Sequence, residues 1–328
     1  MKTKILYVLV SSDGDCYLEQ AYVSMCSVKH HMPDAHIVLL TDKATHNTFI
    51  GLRGEKMALA DELIVIELDS QKYNAQQRSR LLKTNSRNHV KGDCLYIDTD
   101  TIITKPLYEI DAIKSDLAAC WDTHTTAKAS PFYGLTLRDG HKLGWPVEEE
   151  DIYFNGGLMY AKDSPKAHEF YTLWHHNLQE GWKVGVMMDQ PSLAKTNYML
   201  GHVIDVLPEV WNCQLIYGMK FLRDAKIVHY LITSYADDNG ERLFIMNNRA
   251  IFDALTRTNE LDQRILQSFD DPFCGLPNVT QCLAGADMHY LHSQLFDLTR
   301  RLKGTCMEHI LLVVLRTYYK IRRTLKLE

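Results

Sequence analysis

Four short apolar runs, each separated from the next by polar or helix-like sequence, set most of what the first third of this chain can become. "ILYVLV" (5–10), "HIVLLTD" (36–42), "LIVIEL" (63–68) and "DCLYIDTD" (93–100) have the length and composition of strands. After the first comes "LEQAYVSMCSVKHHM", in which Leu18, Tyr22, Met25 and Cys26 recur at helical spacing; a polar helix over 75–90 precedes the fourth. Strands alternating with helices predict a mainly parallel α/β sheet, and such sheets take ligands at the carboxyl ends of their strands. Asp13, Asp42 and Asp98 all stand at such ends.

Beyond residue 113 the pattern loosens. "DLAAC" reads as a short strand and 121–150, with Gly134, Gly140, Gly144 and Pro146, as a loop region. "YFNGGLMYAK" (153–162) reads as a strand. "SPKAHEFYTLWHHNLQEG" reads as a helix that Ser164 caps and Pro165 opens. "DQPSLAKTNYM" begins another helix with Asp189 at its start. "IDVLPEVWN" and "AKIVHYL" read as strands, and helices are expected after Tyr235. The expected division is a catalytic α/β domain over 1–235 and a helical extension over 236–328.

At 328 residues, 46% hydrophobic and 23% charged, the chain can bury a sizeable core, and a net charge of −5 gives no global signal for nucleic acid. Eight scattered cysteines without a C-x-x-C spacing read as reduced thiols of a cytoplasmic protein. "ILYVLV", followed at once by Asp13 and Asp15, is too short for a signal peptide or a membrane span. The charge is uneven: from Arg300 to Glu328 eight Lys/Arg face two acids. Within 307–326, Ile310, Leu311, Val314, Leu315, Tyr318 and Ile321 recur at helical spacing beside that basic cluster. The segment reads either as a helix lying on an anionic membrane face or as one packed on the protein.

The most informative string is "LYIDTDTIITKPL". An apolar strand stops at Asp98 and Asp100, and in extended chain residues i and i+2 point the same way. Two converging carboxylates, with substrate phosphates, are a common way to hold a hard divalent cation. Two enzyme classes use such a string. A haloacid-dehalogenase-type phosphatase would use Asp98 as nucleophile, with Asp100 and Thr101 following. A nucleotide-sugar transferase would use both acids on a metal that binds the donor diphosphate.

The remaining segments resemble glycosyltransferase family 8 over about 4–230. "ILYVLVSSDGDCYLEQA" is similar to that family's opening strand and base-contacting loop, "QRSRLLKT" (77–84) to its Arg-Leu segment, and "LYIDTDTIITKPL" to its metal strand. "YFNGGLMYAK" resembles its Asn-x-Gly segment, "MDQPSLA" its Asp-Gln helix start, "LPEVWNCQ" its Leu-Pro…Asn segment and "KIVHYL" its late strand with a metal-binding His. The resemblance implies a GT-A fold and a Mn²⁺- or Mg²⁺-dependent hexosyl transfer, with retention, from a nucleotide sugar such as a UDP-hexose to a glycan or lipid-linked acceptor. It implies Asp98, Asp100 and His229 on the metal, Asp13 and Tyr17 near the nucleotide, Asp98 also near the ribose, and Asn155, Asp189 and Gln190 around the sugar. The sequence departs from the family after His229, where "YLITSYADDNGER" replaces a Gly…Lys-Pro-Trp run. Lys105, Arg80 or Arg242 then become candidates for neutralising phosphate. A non-catalytic nucleotide-sugar-binding relative is the remaining alternative.

Overall fold

A computed structural model of the chain describes residues 1–148, 151–235, 244–276, 293–302 and 305–324. The four apolar runs become β1 (Lys4–Leu9), β2 (Ile37–Asp42), β3 (Glu62–Ile66) and β4 (Cys94–Ile97). Helix α1 (Tyr17–His31) follows β1. The short α2 (Lys43–His46) and α3 (Leu52–Lys56) follow β2, and α4 (Ala75–Asn85) precedes β4. Then come β5 (Thr101–Ile103), β6 (Leu117–Trp121), α5 (Tyr133–Leu143), β7 (Phe154–Ala161), α6 (Pro165–Lys183) and α7 (Asp189–Met199). Three short strands follow, β8 (Asp205–Val206), β9 (Cys213–Gln214) and β10 (Ile227–His229), and then α8 (Arg249–Thr258) and α9 (Gln263–Asp270).

Seven strands form one sheet in the order β3-β2-β1-β4-β7-β6-β8. β7 runs antiparallel to both its neighbours and the remaining pairings are parallel, so the sheet is mixed and mainly parallel, as expected. Its strands read as continuous apolar runs because helices cover both faces. Alternation sorts the side chains: Ile5, Tyr7, Leu39, Leu95 and Ile97 join one core with Leu18, Met25 and Val28 of α1. Leu6, Val8, Val38, Leu40 and Tyr96 join the other, with Phe170 and Trp174 of α6 and Leu193 of α7. The expected cap of α6 is present, Ser164 accepting from the Ala167 amide ahead of Pro165.

A second sheet, β5-β10-β9, is small and decides where the site lies. β5 pairs antiparallel with β10, and the register sets His229 opposite Thr101. One turn upstream of that pairing is the Asp98–Asp100 segment.

Two features differ from the sequence reading. Residues 133–143, expected as loop, form α5, which ends at Gly144 in the left-handed region (φ 67°). The glycine that obscured this helix is needed for packing: a Cβ at Gly140 would lie 2.5 Å from Val147 Cγ2 and 2.9 Å from the Trp145 carbonyl. The second feature is the division of the chain, which falls between 277 and 278 and not between 235 and 236. Helices α8 and α9 stay with the first unit because Phe252, Leu255, Ile265 and Phe269 pack with Ile102, Val228 and Val23 in a third core. The second unit holds α10 (Gln294–Leu302) and α11 (Cys306–Thr324). α11 leaves Ile310, Val313 and Val314 at least half exposed. No helix among the described residues is long and apolar enough to cross a membrane. Of the 307–326 segment, 325 and 326 lie outside the described residues, as does Arg242.

Candidate active site

A cavity of about 480 Å³ opens at the carboxyl ends of β1 and β4, within the size range of small-molecule sites. Val8–Val10 and Tyr17 line one side, and Arg80 and Lys83 of α4 another. Asp98, Asp100 and His229 stand opposite Asn155 and Gly157, and Met188–Gln190 close the remaining wall.

The carboxylates converge by a different route from strand alternation. β4 stops at Ile97, and Thr99 and Asp100 form a bend before β5 starts. Thr101 Oγ1 donates to the Asp98 carbonyl at 2.9 Å and holds the bend. Asp100 is fixed from the far side, where its Oδ2 accepts the Ile232 amide at 2.6 Å. Asp98 Oδ1 accepts from the Tyr96 hydroxyl. The free atoms that remain face one another: His229 Nε2 is 3.3 Å from Asp100 Oδ1 and 3.8 Å from Asp98 Oδ2. All three ligand atoms lie within 4.8 Å of one another, which is the donor set and spacing a hard or borderline divalent cation takes.

Gly157 leaves the room. A Cβ there would sit 2.3 Å from His229 Cε1 and 2.6 Å from Asp98 Oδ2, so this strand position excludes any side chain. Burial would lower the His229 pKa, but Asp100 and then Asp98 outweigh it and raise it. Burial would likewise raise that of Asp100, and the facing imidazole lowers it instead.

The opposite wall is charged as well. α4 opens on a reciprocal cap, Asn74 with Gln77, and is fastened to β2 by the Arg78–Asp42 ion pair. Arg80 and Lys83, three residues apart on that helix, therefore share a face. Lys83 Nζ lies 3.0 Å from Asp189 Oδ2 and 3.5 Å from Asp98 Oδ1, bridging the metal-site carboxylate and the far wall. Arg80 Nε is 3.6 Å from Asp189 Oδ1, and its Nη1 is buried with no acceptor among the described residues. Asp189 opens α7 without capping it: its carboxylate faces the two cations while its carbonyl accepts from Trp174 Nε1. Burial would raise the Asp189 pKa, and Lys83 and Arg80 together lower it.

Asn155, at the start of β7, donates to Asp122 Oδ1 at 2.9 Å. Burial raises the Asp122 pKa.

Eight of the ten residues singled out in the sequence line this cavity: Tyr17, Arg80, Asp98, Asp100, Asn155, Asp189, Gln190 and His229. Asp13 is not among the lining residues: its side chain is 83% exposed and pairs with Arg53 at 3.3 Å. The loop is organised instead by Asp15, which accepts from Ser11 Oγ, the Ser12 amide and the Tyr17 amide. Lys105 is turned away, 3.5 Å from Asp224 on the surface. The second cavity cation is Lys83, for which the i, i+3 spacing from Arg80 was the available signal.

No protein-family profile and no curated protein sequence matches the chain. Solved structures do. An active-site variant of the galactosyltransferase LgtC is 14% identical, with 80% of this chain and 98% of that one covered and a TM-score of 0.53. The glycosyltransferase GlyE of Streptococcus pneumoniae TIGR4 is 17% identical, with 86% and 67% covered and a TM-score of 0.50. At these identities the likeness is one of fold: the chain has the GT-A fold, a mixed, mainly parallel sheet between helical layers.

Proposed function

We propose, from this fold and the charged cavity at its strand ends, that the chain is a divalent-cation-dependent glycosyltransferase. It would move a hexose from a nucleotide-diphosphate donor, UDP-linked in this reading, to a hydroxyl of a glycan or lipid-linked acceptor. The observation that carries the reading is the convergence of Asp98 Oδ2, Asp100 Oδ1 and His229 Nε2 in a pocket whose other wall is Asn155, Asp189 and Gln190.

Asp98, Asp100 and His229 would hold Mn²⁺ or Mg²⁺, which when bound supplies Lewis-acid stabilisation to a leaving diphosphate. The rest falls to the chain's own groups. Arg80 offers a buried N–H donor without an acceptor among the described residues, suited to a donor oxygen or phosphate. Asp189, held between two cations, stays ionised and can accept sugar hydroxyls. Asn155, hydrogen-bonded to Asp122, and Gln190 beside it in the cavity lining would give the sugar side a polar frame. Tyr17 would lie against the nucleotide. Retention of the anomeric configuration, and a peripheral membrane contact through α11, belong to the same reading. The membrane contact is supported by the exposed apolar residues of α11. Neither a haloacid-dehalogenase mechanism nor a non-catalytic relative is favoured: the fold is that of the sugar transferases named above, and three candidate cation ligands converge in the cavity.

The test is a thermal-shift panel of UDP, GDP, UDP-glucose, UDP-galactose and a phosphomonoester, each with and without Mn²⁺. A ligand that binds the folded state raises its melting temperature by mass action. Mn²⁺-dependent stabilisation by one nucleotide, lost in Asp100→Ala, is expected, and the best sugar nucleotide nominates the donor. No stabilisation by any nucleotide overturns the reading.

A further inference from the structure

The cavity uses Asn155 and His229 but not the residue between them in space. Asn212 lies between β8 and β9, 1% exposed, and belongs to a chain of side-chain hydrogen bonds whose direction is fixed. The direction comes from groups that have no choice. The Gly157 backbone amide can only donate, and it donates to Asn155 Oδ1 at 2.9 Å. At the other end of that amide, Asn155 Nδ2 donates to Asp122 Oδ1 at 2.9 Å. It also faces Gln214 Oε1 at 3.4 Å, an oxygen identified as such because it accepts the Thr123 backbone amide at 3.0 Å. Asn155 is therefore oriented from both ends.

Its Oδ1 then takes a second hydrogen bond, 3.0 Å from Asn212, and only the amide nitrogen of Asn212 can supply it. The Asn212 oxygen is left facing His229 Nδ1 at 3.0 Å. An oxygen acceptor there requires a hydrogen on Nδ1. Nε2, on the far side of the ring, is the nitrogen that faces Asp98 and Asp100.

We propose that Asn212 is a positioning residue for the cation site: through this one-directional chain from Gly157 and Asp122 it holds His229 as the Nδ1–H imidazole and reserves Nε2 as a ligand. Metal-bound histidines depend on such a partner at the second nitrogen, which sets tautomer and ring orientation. The inference rests on the cation-dependent reading above and adds a residue that does not itself touch cation or sugar.

Two measurements test it. Imidazole ¹⁵N NMR of the wild-type protein with Mg²⁺, the His229 signals assigned by their loss in His229→Gln, is expected to show hydrogen on Nδ1 and none on Nε2. Mn²⁺ binding is then followed by electron paramagnetic resonance in wild type, Asn212→Leu and Asn212→Asp. Loss of the acceptor in Asn212→Leu is expected to weaken Mn²⁺ binding about 10–100-fold. Asn212→Asp keeps an acceptor for Nδ1–H and is expected to stay within about threefold of wild type even where its melting temperature falls. A packing role alone would instead make affinity follow stability in both variants. Wild-type Mn²⁺ affinity in Asn212→Leu, affinity that merely tracks melting temperature, or a bare Nδ1 in the Mg²⁺-loaded protein overturns the inference and leaves the transferase reading standing. If Asn212→Leu does not fold, the wild-type spectrum still decides. A wild-type protein that binds neither cation overturns both.

Discussion

Two adjacent glycines on β7 offer a sharp test of how the cation site is built. Gly156 and Gly157 both lie in a fully buried strand, and neither has the left-handed backbone that alanine would strain. Only their surroundings differ. A Cβ at Gly157 would meet His229 Cε1 at 2.3 Å, more than about 1 Å short of the 3.5–4.0 Å of a relaxed contact. His229 cannot simply retreat, because Nδ1 is held by Asn212 and the ring is buried. Overpacking of this kind costs about 1–3 kcal/mol, less the 0.4–1 kcal/mol or so gained by restricting the unfolded chain. The net cost, at most about 2.6 kcal/mol, corresponds to a fall in melting temperature of up to about 10 °C for a unit this large. The larger consequence is chemical, since the displaced groups are Asp98 and His229. Gly157→Ala should lose Mn²⁺-dependent stabilisation by UDP, worth about 2.7 kcal/mol at a hundredfold excess over Kd. At Gly156 the nearest atoms are side-chain ends, Asp189 Oδ2 at 3.2 Å and Lys83 Nζ at 3.4 Å, so Gly156→Ala should stay within about 1 kcal/mol of wild type and keep the Mn²⁺ response. The assay is thermal unfolding of the three proteins with and without Mn²⁺ plus UDP. If Gly157→Ala melts and responds like wild type, the crowded cradle inferred from these distances is refuted.

Other outcomes follow from the charged wall. Lys83→Met should destabilise by about 3 kcal/mol in urea unfolding, because it removes the cation shared by Asp189 and Asp98 and leaves only Arg80 beside the one and His229 beside the other. Lys83→Met/Asp189→Asn together should cost less than the two single changes added. Lys105→Ala, by contrast, removes a surface pair worth under about 1 kcal/mol and should leave nucleotide binding unchanged by calorimetry. The pH profile of unfolding should carry the signature of Asp189. Its folded pKa is depressed, so its contribution is complete above the unfolded value near 3.9 and is lost as pH falls below it. Asp189→Asn should flatten the acid limb of stability against pH, and an unchanged limb would remove Asp189 from that account.

How much of this was legible in the sequence depended on whether the signal was local. β1, β2, β3 and β4 announce themselves as apolar runs, because a sheet covered on both faces needs nothing else. The cap of α6 was equally plain in Ser164-Pro165. α5 was hidden because Gly140, a helix-weakening residue, is placed there by the Trp145 and Val147 contacts, which no local pattern reports. The domain boundary was misplaced for a related reason: α8 and α9 look like an extension until Phe252 and Phe269 are seen packed against the small sheet. Asp98, Asp100 and His229, read in the sequence as candidate ligands, come together in the cavity, the two acids through the bend after β4 and not through the strand alternation expected of them. Lys105 was chosen for closeness in sequence to the acids, but β5 carries the chain away from the cavity after Thr101, and Lys83 from α4 stands there instead. Asp13 and Asp15 show the same limit: two acids in one loop are interchangeable on paper, and the hydrogen bonds to Ser11, Ser12 and Tyr17 separate them.

The balance of charge in the cavity argues for what it is prepared to receive. Asp98, Asp100 and Asp189 face Lys83, Arg80 and an imidazole whose pKa is raised by Asp100, so with that imidazole protonated the cavity's own charges are close to compensated. In the proposed reading a divalent cation held by Asp98, Asp100 and His229 alone would leave positive charge in excess beside Lys83 and Arg80. A diphosphate entering alone would meet Asp98 and Asp100. In the proposed reading the two would be better accommodated together than apart, in a largely buried space where unpaired charge is costly. If the proposed cation and diphosphate bind together in this way, linkage requires that each raise the affinity of the other by the same factor. Lys83, held between Asp98 and Asp189, would in that reading link the cation side of the cavity to the wall the sugar would face.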